Sequence, residues 1–235
     1  MAALSVDVAV PILIFGELDK IEGEVWLTNS TGGQVTIDSA SLTVNFPTPE
    51  TGPIPLPDGA GLPPGATKRL LIRSGMPMYT PGGTYSAEIT LATSAGGQVV
   101  KASVVIADTY VVALAPTVLT FTGVKKSSTL SGTVLVVNKG NTPIKVGAIP
   151  SETMLEVVTI PRVVEVSGAT LSVQPAPGLA AGGTVTFTNP TATVARGAWA
   201  SVDVKLKMPA TLPANRHFRV LPRIATQRLV IDLLT

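Results

Sequence analysis

Gly23-Glu-Val25-Trp-Leu27-Thr-Asn29 and Gly132-Thr-Val134-Leu-Val136-Val-Asn138 are the two stretches on which the fold turns. In each, apolar residues alternate from a glycine to an asparagine, the period-2 pattern of a half-buried β-strand. Six and eight residues after the asparagine stand Val35 and Ile37 in the first stretch and Ile144 and Val146 in the second. Between lie glycine-containing turns, Gly32-Gly33 and Gly140-Asn141, so each stretch opens an antiparallel pair. Upstream of each stand a proline and an aromatic, Pro11 with Phe15 and Pro116 with Phe121.

A second matched block follows. Gly65 precedes Leu70, Ile72 and Met76-Pro77, and Gly197 precedes Val202, Val204 and Met208-Pro209. The early block repeats after 109 residues and the late one after 132, so the second copy carries about 23 extra residues between Val146 and Gly197. A repeat of about 110 residues is too long for a solenoid unit and suits a whole β-sandwich. The expected organisation is a first domain over residues 1–109 and a second over 110–235, with an insertion around 150–195. The boundary falls near Ala107 to Val112, where Asp108-Thr109 leaves a short linker.

Strand patterns recur through both halves. The first predicts strands over 5–15, 22–29, 34–45, 67–74, 83–93 and 98–106; the second over 111–121, 131–138, 144–149, 162–173, 184–189, 198–208, 216–224 and 227–234. Residues 151–158 are the best short helix candidate and read equally well as a strand. Gly and Pro, 22 and 20 residues, sit between apolar segments as turn residues do. The expected fold class is all-β, two tandem immunoglobulin-like β-sandwich domains.

A proline, an aromatic-glycine element (Phe15-Gly16; Phe121-Thr-Gly123), an apolar strand, an asparagine turn and a second strand form a recurring order. With Pro64-Gly65 and Pro81-Gly82-Gly83-Thr84-Tyr85, this order resembles the immunoglobulin-like repeats of the major sperm protein and Hydin-type group. The resemblance implies scaffolding, lattice or filament-associated roles and no enzymatic activity. The second copy departs from it at Pro213-Ala-Asn-Arg, where the Gly-Gly-Thr-Tyr turn is lost.

Charged residues make up only 14% of the chain and mean hydropathy is +0.42, against about 25% charge in an average soluble domain. So little charge favours a surface covered by association. There is no cysteine, hence no disulfide or thiolate chemistry. Apolar runs such as Val8 to Phe15 and Tyr110 to Pro116 are far shorter than the ~20 residues of a membrane span. No basic segment precedes an apolar core, since the first charge is Asp7; the expected location is a virion or the cytoplasm, with an extracellular surface left open.

Few residues suit chemistry. His217, the one histidine, lies between Arg216 and Phe218 on an expected strand and reads as structural. Glu22 and Glu24 share a strand face roughly 7 Å apart, near Asp19, and read as solvated, not as an acid/base pair or a calcium site. Gly59-Ala-Gly61-Leu-Pro-Pro-Gly65 lacks the strand-to-helix context of a phosphate loop. Asn29-Ser-Thr31 is a formal glycosylation sequon that reads better as a turn. No catalytic, cofactor-binding or metal-binding residue is assigned.

Trp26 and Trp199 fall out of phase with their apolar neighbours and are candidate interaction residues. Charge supplies the others. Residues 1–110 hold five Lys/Arg and ten Asp/Glu, residues 111–235 twelve and five; the basic excess includes Arg216, Arg219, Arg223 and Arg228. Opposite charges suit docking of the domains, head-to-tail contact between copies, or an acidic partner. Nucleic acid is disfavoured because no recognition motif or interleaved aromatics accompany the basic residues. The preferred function is a non-enzymatic structural protein that assembles into or decorates a virion shell, a tail or a surface lattice through protein contacts, self-association included. The alternative is a monomeric adaptor or ligand-binding module that uses loops of the second domain.

Overall fold

The computed structural model describes residues 4–7, 12–17, 19–57, 60–157 and 181–235, and every regular element among them is a strand. The fold is all-β. The chain divides into two compact units, Met1–Val111 with Gly140–Thr142, and Val112–Lys139 with Pro143–Thr235. Among the described residues no helix is long and apolar enough to cross a membrane.

The first unit contains β1 (Leu4–Asp7), β2 (Ile12–Glu17), β3 (Lys20–Asn29), β4 (Val35–Val44), β5 (Glu50–Pro53), β6 (Gly61–Leu62), β7 (Thr67–Gly75), β8 (Gly83–Thr93) and β9 (Gly96–Ile106). β3 runs antiparallel to β7 on one side and to β1 and then β2 on the other. β2 also pairs in parallel with β9, which continues through β8 to β4 and β5. Inward residues of the β3–β7 part, such as Leu27, Leu70 and Ile72, share one buried cluster with Leu42, Ile89 and Val104 of the other part. That is a sandwich-like enclosure in which alternate residues of each strand face in.

The second unit contains β10 (Val112–Ala115), β11 (Val118–Thr122), β12 (Thr129–Asn138), β13 (Ile144–Val146), β14 (Glu152–Glu156), β15 (Ala181–Thr188), β16 (Ala192–Val194), β17 (Trp199–Lys207), β18 (His217–Val220), β19 (Arg223–Ile224), β20 (Gln227–Arg228) and β21 (Val230–Leu234). Its wiring repeats the first. β10 is antiparallel to β12, which pairs with β17; β11 then pairs in parallel with β21, followed by β18 and β14. Phe218, Val220, Ile231 and Leu233 enter a single core with Val134, Val136, Val202 and Leu206.

Bonds repeat as well as strands, at the two spacings read from the sequence. The Asn29 N–H donates to Ala66 O and Asn138 N–H to Ala198 O, both at 2.9 Å; Met76 N–H donates to Asp19 O and Met208 N–H to Ser128 O, both at 2.8 Å. Val35 pairs with Leu62 as Ile144 pairs with Val194. Gly65 and Gly197 have φ of 73° and 65°, the left-handed region that favours glycine. A Cβ on Gly132 would lie 2.9 Å from the Leu119 side chain, and one on Gly23 3.1 Å from Ile14. At both glycines side chains of the preceding strand, β2 or β11, lie close against the backbone of β3 or β12.

Several strand expectations change. Residues 152–156 form β14, not a helix: Met154 is fully buried between partners β15 and β18, contacts that an isolated eight-residue helix could not match. The expected strands over 111–121 and 216–224 are each interrupted, at Pro116-Thr117 and at Leu221-Pro222, since proline has no N–H for the ladder. The strand over 5–15 is seen as β1 and β2, with residues 8–11 outside the described residues. β5, β6 and β16 carry no sequence pattern of their own and exist through their partners. The strand expected over 162–173 lies outside the described residues. Five residues separate β4 from β5, whereas 24 separate β14 from β15, so most of the extra length falls there.

Candidate interaction surfaces

Strand alternation that buries one face leaves the other to solvent, and both tryptophans lie on outward faces. Trp26 on β3 is 46% exposed, with Arg69 of β7 and Asp7 of β1 as its cross-strand neighbours. Phe15 (61% exposed) and Leu13 of β2 and Leu71 of β7 are also exposed, with Phe15 opposite Glu22. Glu24 accepts from Arg69 Nη1 at 3.2 Å and Glu22 lies 3.9 Å from Arg73 Nε. These carboxylates are therefore solvated members of surface ion pairs, worth at most about 1 kcal/mol each. Trp199 on β17 is 67% exposed and sits opposite Val137 of β12, next to half-exposed Leu135. Each unit thus presents apolar side chains around a tryptophan on the outward side of the corresponding strand pair.

The four arginines do not form one patch. The hairpin from β18 to β21 keeps one register throughout, with Arg219 opposite Asp232 and Arg223 opposite Arg228. Arg219 holds Asp232 in a two-pronged contact, Nε–Oδ1 2.8 Å and Nη2–Oδ2 3.1 Å. The hydrogen bond from Arg219 holds the Asp232 carboxyl below the usual carboxylate range; partial burial opposes this, and His217 adds to the lowering. The same bond, followed by the charge of Asp232, raises Arg219 above its ordinary value. Arg216 Nη1 donates to Glu156 at 2.9 Å. Two of the four nominated charges are therefore neutralised locally.

His217 lies on β18, a strand as expected, with a carboxylate beside it: Nε2 lies 3.2 Å from Asp232 Oδ1, brought there by the cross-strand register. Among the described residues no hydroxyl hydrogen-bonds to His217, so the pair does not extend to a Ser-His-Asp relay.

Arg223 and Arg228 differ from the other two. They project side by side from a tight hairpin anchored by buried Ile224 and Leu229, and closed by the Leu229 N–H to Pro222 O bond at 2.9 Å. Among the described residues neither has an ion-pair partner. With Pro150, Glu152, Leu155 and Leu221 they line an open groove of about 340 Å³ that sequence reading missed. The groove joins β14 to the β19–β20 hairpin, segments about 70 residues apart in sequence whose proximity no local pattern reveals.

The sequon is a turn. Asn29 is fully buried; its Nδ2 donates to Gly33 O and Leu62 O, and its Oδ1 accepts from Thr31. Gly61 and Leu62 of the glycine-rich segment form β6 on β4, with Gly59 outside the described residues. Among the described residues no group of three or more His, Asp or Glu is placed to hold a metal ion.

No protein-family model and no curated protein matches the sequence. Among solved structures, the chain is similar to a protein of unknown function from Porphyromonas gingivalis W83 (13% identity, 99% of both chains, TM-score 0.31). It is similar to the CsuC–CsuE chaperone–tip adhesion subunit pre-assembly complex from Csu pili of Acinetobacter baumannii (8% identity, 99% of both chains, TM-score 0.33). It is also similar to red sea bream transglutaminase, of which it covers 30% (12% identity, 99% of this chain, TM-score 0.31). TM-scores this low carry no argument about what the chain does.

Proposed function

We propose that the chain is a non-enzymatic structural protein of two tandem immunoglobulin-like domains, residues 1–109 and 110–235, that assembles into or decorates a larger protein complex. A virion shell, a tail or a surface lattice is the setting that suits it. The immunoglobulin-like reading is supported by two successive strands in each unit, β1 then β2 and β10 then β11, the first antiparallel to β3 or β12 and the second parallel to the last strand, β9 or β21.

The assembly reading is carried by one observation: each unit turns a tryptophan and neighbouring apolar side chains outward on a regular strand face. Charged residues share the face of Trp26, the Glu24–Arg69 pair among them, as a polar rim does around an apolar anchor. Exposed aromatics on a rigid sheet are the residues that anchor protein interfaces.

Sedimentation at high protein concentration and low salt tests this. The expected result is concentration-dependent association that Trp26→Ser/Trp199→Ser weakens at least tenfold, with the sheet signal in circular dichroism unchanged. A strictly monomeric chain, together with no regular array in micrographs of the source material, sinks the reading.

A further inference from the structure

Residues 107–111, which lead out of β9 toward β10, are held from two sides. Gly140–Thr142 joins β12 to β13 in sequence, yet it belongs to the first compact unit, and its bonds go to residues 107–109. Asn141 N–H donates to Thr109 O at 3.1 Å, and Asn141 Oδ1 accepts from Thr109 N–H at 2.7 Å, so one residue closes both halves of a bridge. Its Nδ2 donates to Ala107 O at 2.9 Å, and Thr142 Oγ1 donates to Asp108 Oδ1 at 3.0 Å. Asn141 is buried, and the backbone of residues 107–109 satisfies its amide. Two glycines leave the room for this. A Cβ on Gly140 would overlap Thr109 O and lie 2.8 Å from Val111 N. One on Gly82, in the loop from β7 to β8, would overlap Asp108 Oδ1 and lie 3.1 Å from Asp108 N.

The first copy forms its turn without any of these contacts. Counted from the repeated asparagines, Thr31-Gly32-Gly33 stands where Gly140-Asn141-Thr142 stands. There the turn closes on itself: Thr31 Oγ1 donates to Asn29 Oδ1 at 2.6 Å, Gly32 and Gly33 are exposed, and a Cβ on either would meet nothing within 4 Å. We infer that the Gly140–Thr142 turn is a latch peculiar to the second copy. It keeps the backbone of residues 107–111 bonded and shielded, and that segment opens only when Asn141 lets go. The latch protects a stretch that is otherwise easy to cut, since Tyr110 and Val111 are 59% and 38% exposed. A protease needs an opened backbone, so cleavage at Tyr110 reports how often the latch is undone.

Chymotrypsin, whose apolar pocket takes aromatic side chains, is the probe, applied to the full-length chain with the fragments weighed by mass spectrometry. The wild type should be cut slowly after Tyr110. Asn141→Ala should be cut about tenfold faster, giving pieces 1–110 and 111–235. Hydrogen exchange in the variant should rise over 107–111 and 140–142 while β8, β9, β12 and β17 keep their wild-type protection. Thr142→Val, which removes only the bond to Asp108, should give a smaller rise at the same residues. If Asn141→Ala does not fold, judged by circular dichroism, Gly140→Ala should give the faster cut, because its Cβ pushes Thr109 away. Equal cleavage at Tyr110 in the wild type and the variants overturns the latch. So does protection lost across β12 and β17 as well, which would make Asn141 a residue that the second unit needs in order to fold.

Discussion

The last hairpin of the first unit and the last hairpin of the second descend from the same plan and differ in one respect. β8 and β9 run eleven residues each in unbroken antiparallel register around Ser94-Ala95. The second hairpin keeps its register around Ala225-Thr226 but splits into β18 with β21 and β19 with β20. Pro222 lies in the gap, where a residue with no N–H leaves a ladder position empty. The continuous ribbon is a wall, whereas the broken one leaves a cationic tip beside a groove. Both cores are predominantly aliphatic, and the hairpins are one place where the two units diverge.

The largest expected effect tests whether the broken hairpin still carries its unit's core. Phe218 is fully buried two residues before the last pair ahead of the gap, and Phe218→Ala should cost about 3–5 kcal/mol. Hydrogen-exchange mass spectrometry should show protection lost across β12, β17, β18 and β21. Retained protection in those strands would mean that the hairpin is an appendage.

Next come the repeated asparagines. Asn29 and Asn138 are both fully buried, with Nδ2 donating to Leu62 O and to Val194 O respectively. Removing either leaves buried carbonyls unsatisfied, so Asn29→Ala and Asn138→Ala should each cost about 1–3 kcal/mol in urea titrations. A large cost at one site and none at the other would break the equivalence of the two turns.

A third effect exists only in the second hairpin. Asp232 is depressed in the folded state, so its contribution is full above the unfolded carboxylate pKa of about 4 and is lost as pH falls through the lower folded value. Arg219 is 43% exposed, which screens the pair, so Asp232→Asn should cost about 1 kcal/mol near neutrality. The gap between wild type and variant should close as the medium is acidified below pH 4. A gap that persists in acid would place the effect in packing and not in charge.

Much of this was legible in sequence, because strand alternation and the Asn, Gly and Met-Pro positions are local signals with fixed spacing. The repeat at 109 and 132 residues recurs as repeated hydrogen bonds between the same positions. What was not legible depends on register between distant segments. Asp232 reaches His217 and Arg219 only because the hairpin closes at Ala225-Thr226, and counting outward from that turn pairs Arg219 with Asp232. Glu156 reaches Arg216 through the β14–β18 pairing, for which no spacing rule exists. The basic cluster therefore looked uniform in sequence although half of it is neutralised. β14 was ambiguous because five residues with one buried methionine carry no resolvable period.

The last pair of effects lies at the two hairpin tips and should have opposite signs, ending on the smallest of all. In the first unit Gly96 has φ 117°, a region that L-residues rarely adopt, while a Cβ there would meet nothing within 4 Å. Backbone strain is then the only cost, and Gly96→Ala should destabilise the first unit by about 1–2 kcal/mol. In the second unit Ala225 sits at φ 53° and already bears a left-handed penalty of about 1 kcal/mol. Ala225→Gly relieves that penalty but gains unfolded-state entropy, leaving a net stabilisation of about 0.5 kcal/mol. Urea midpoints of the two variants measure both signs.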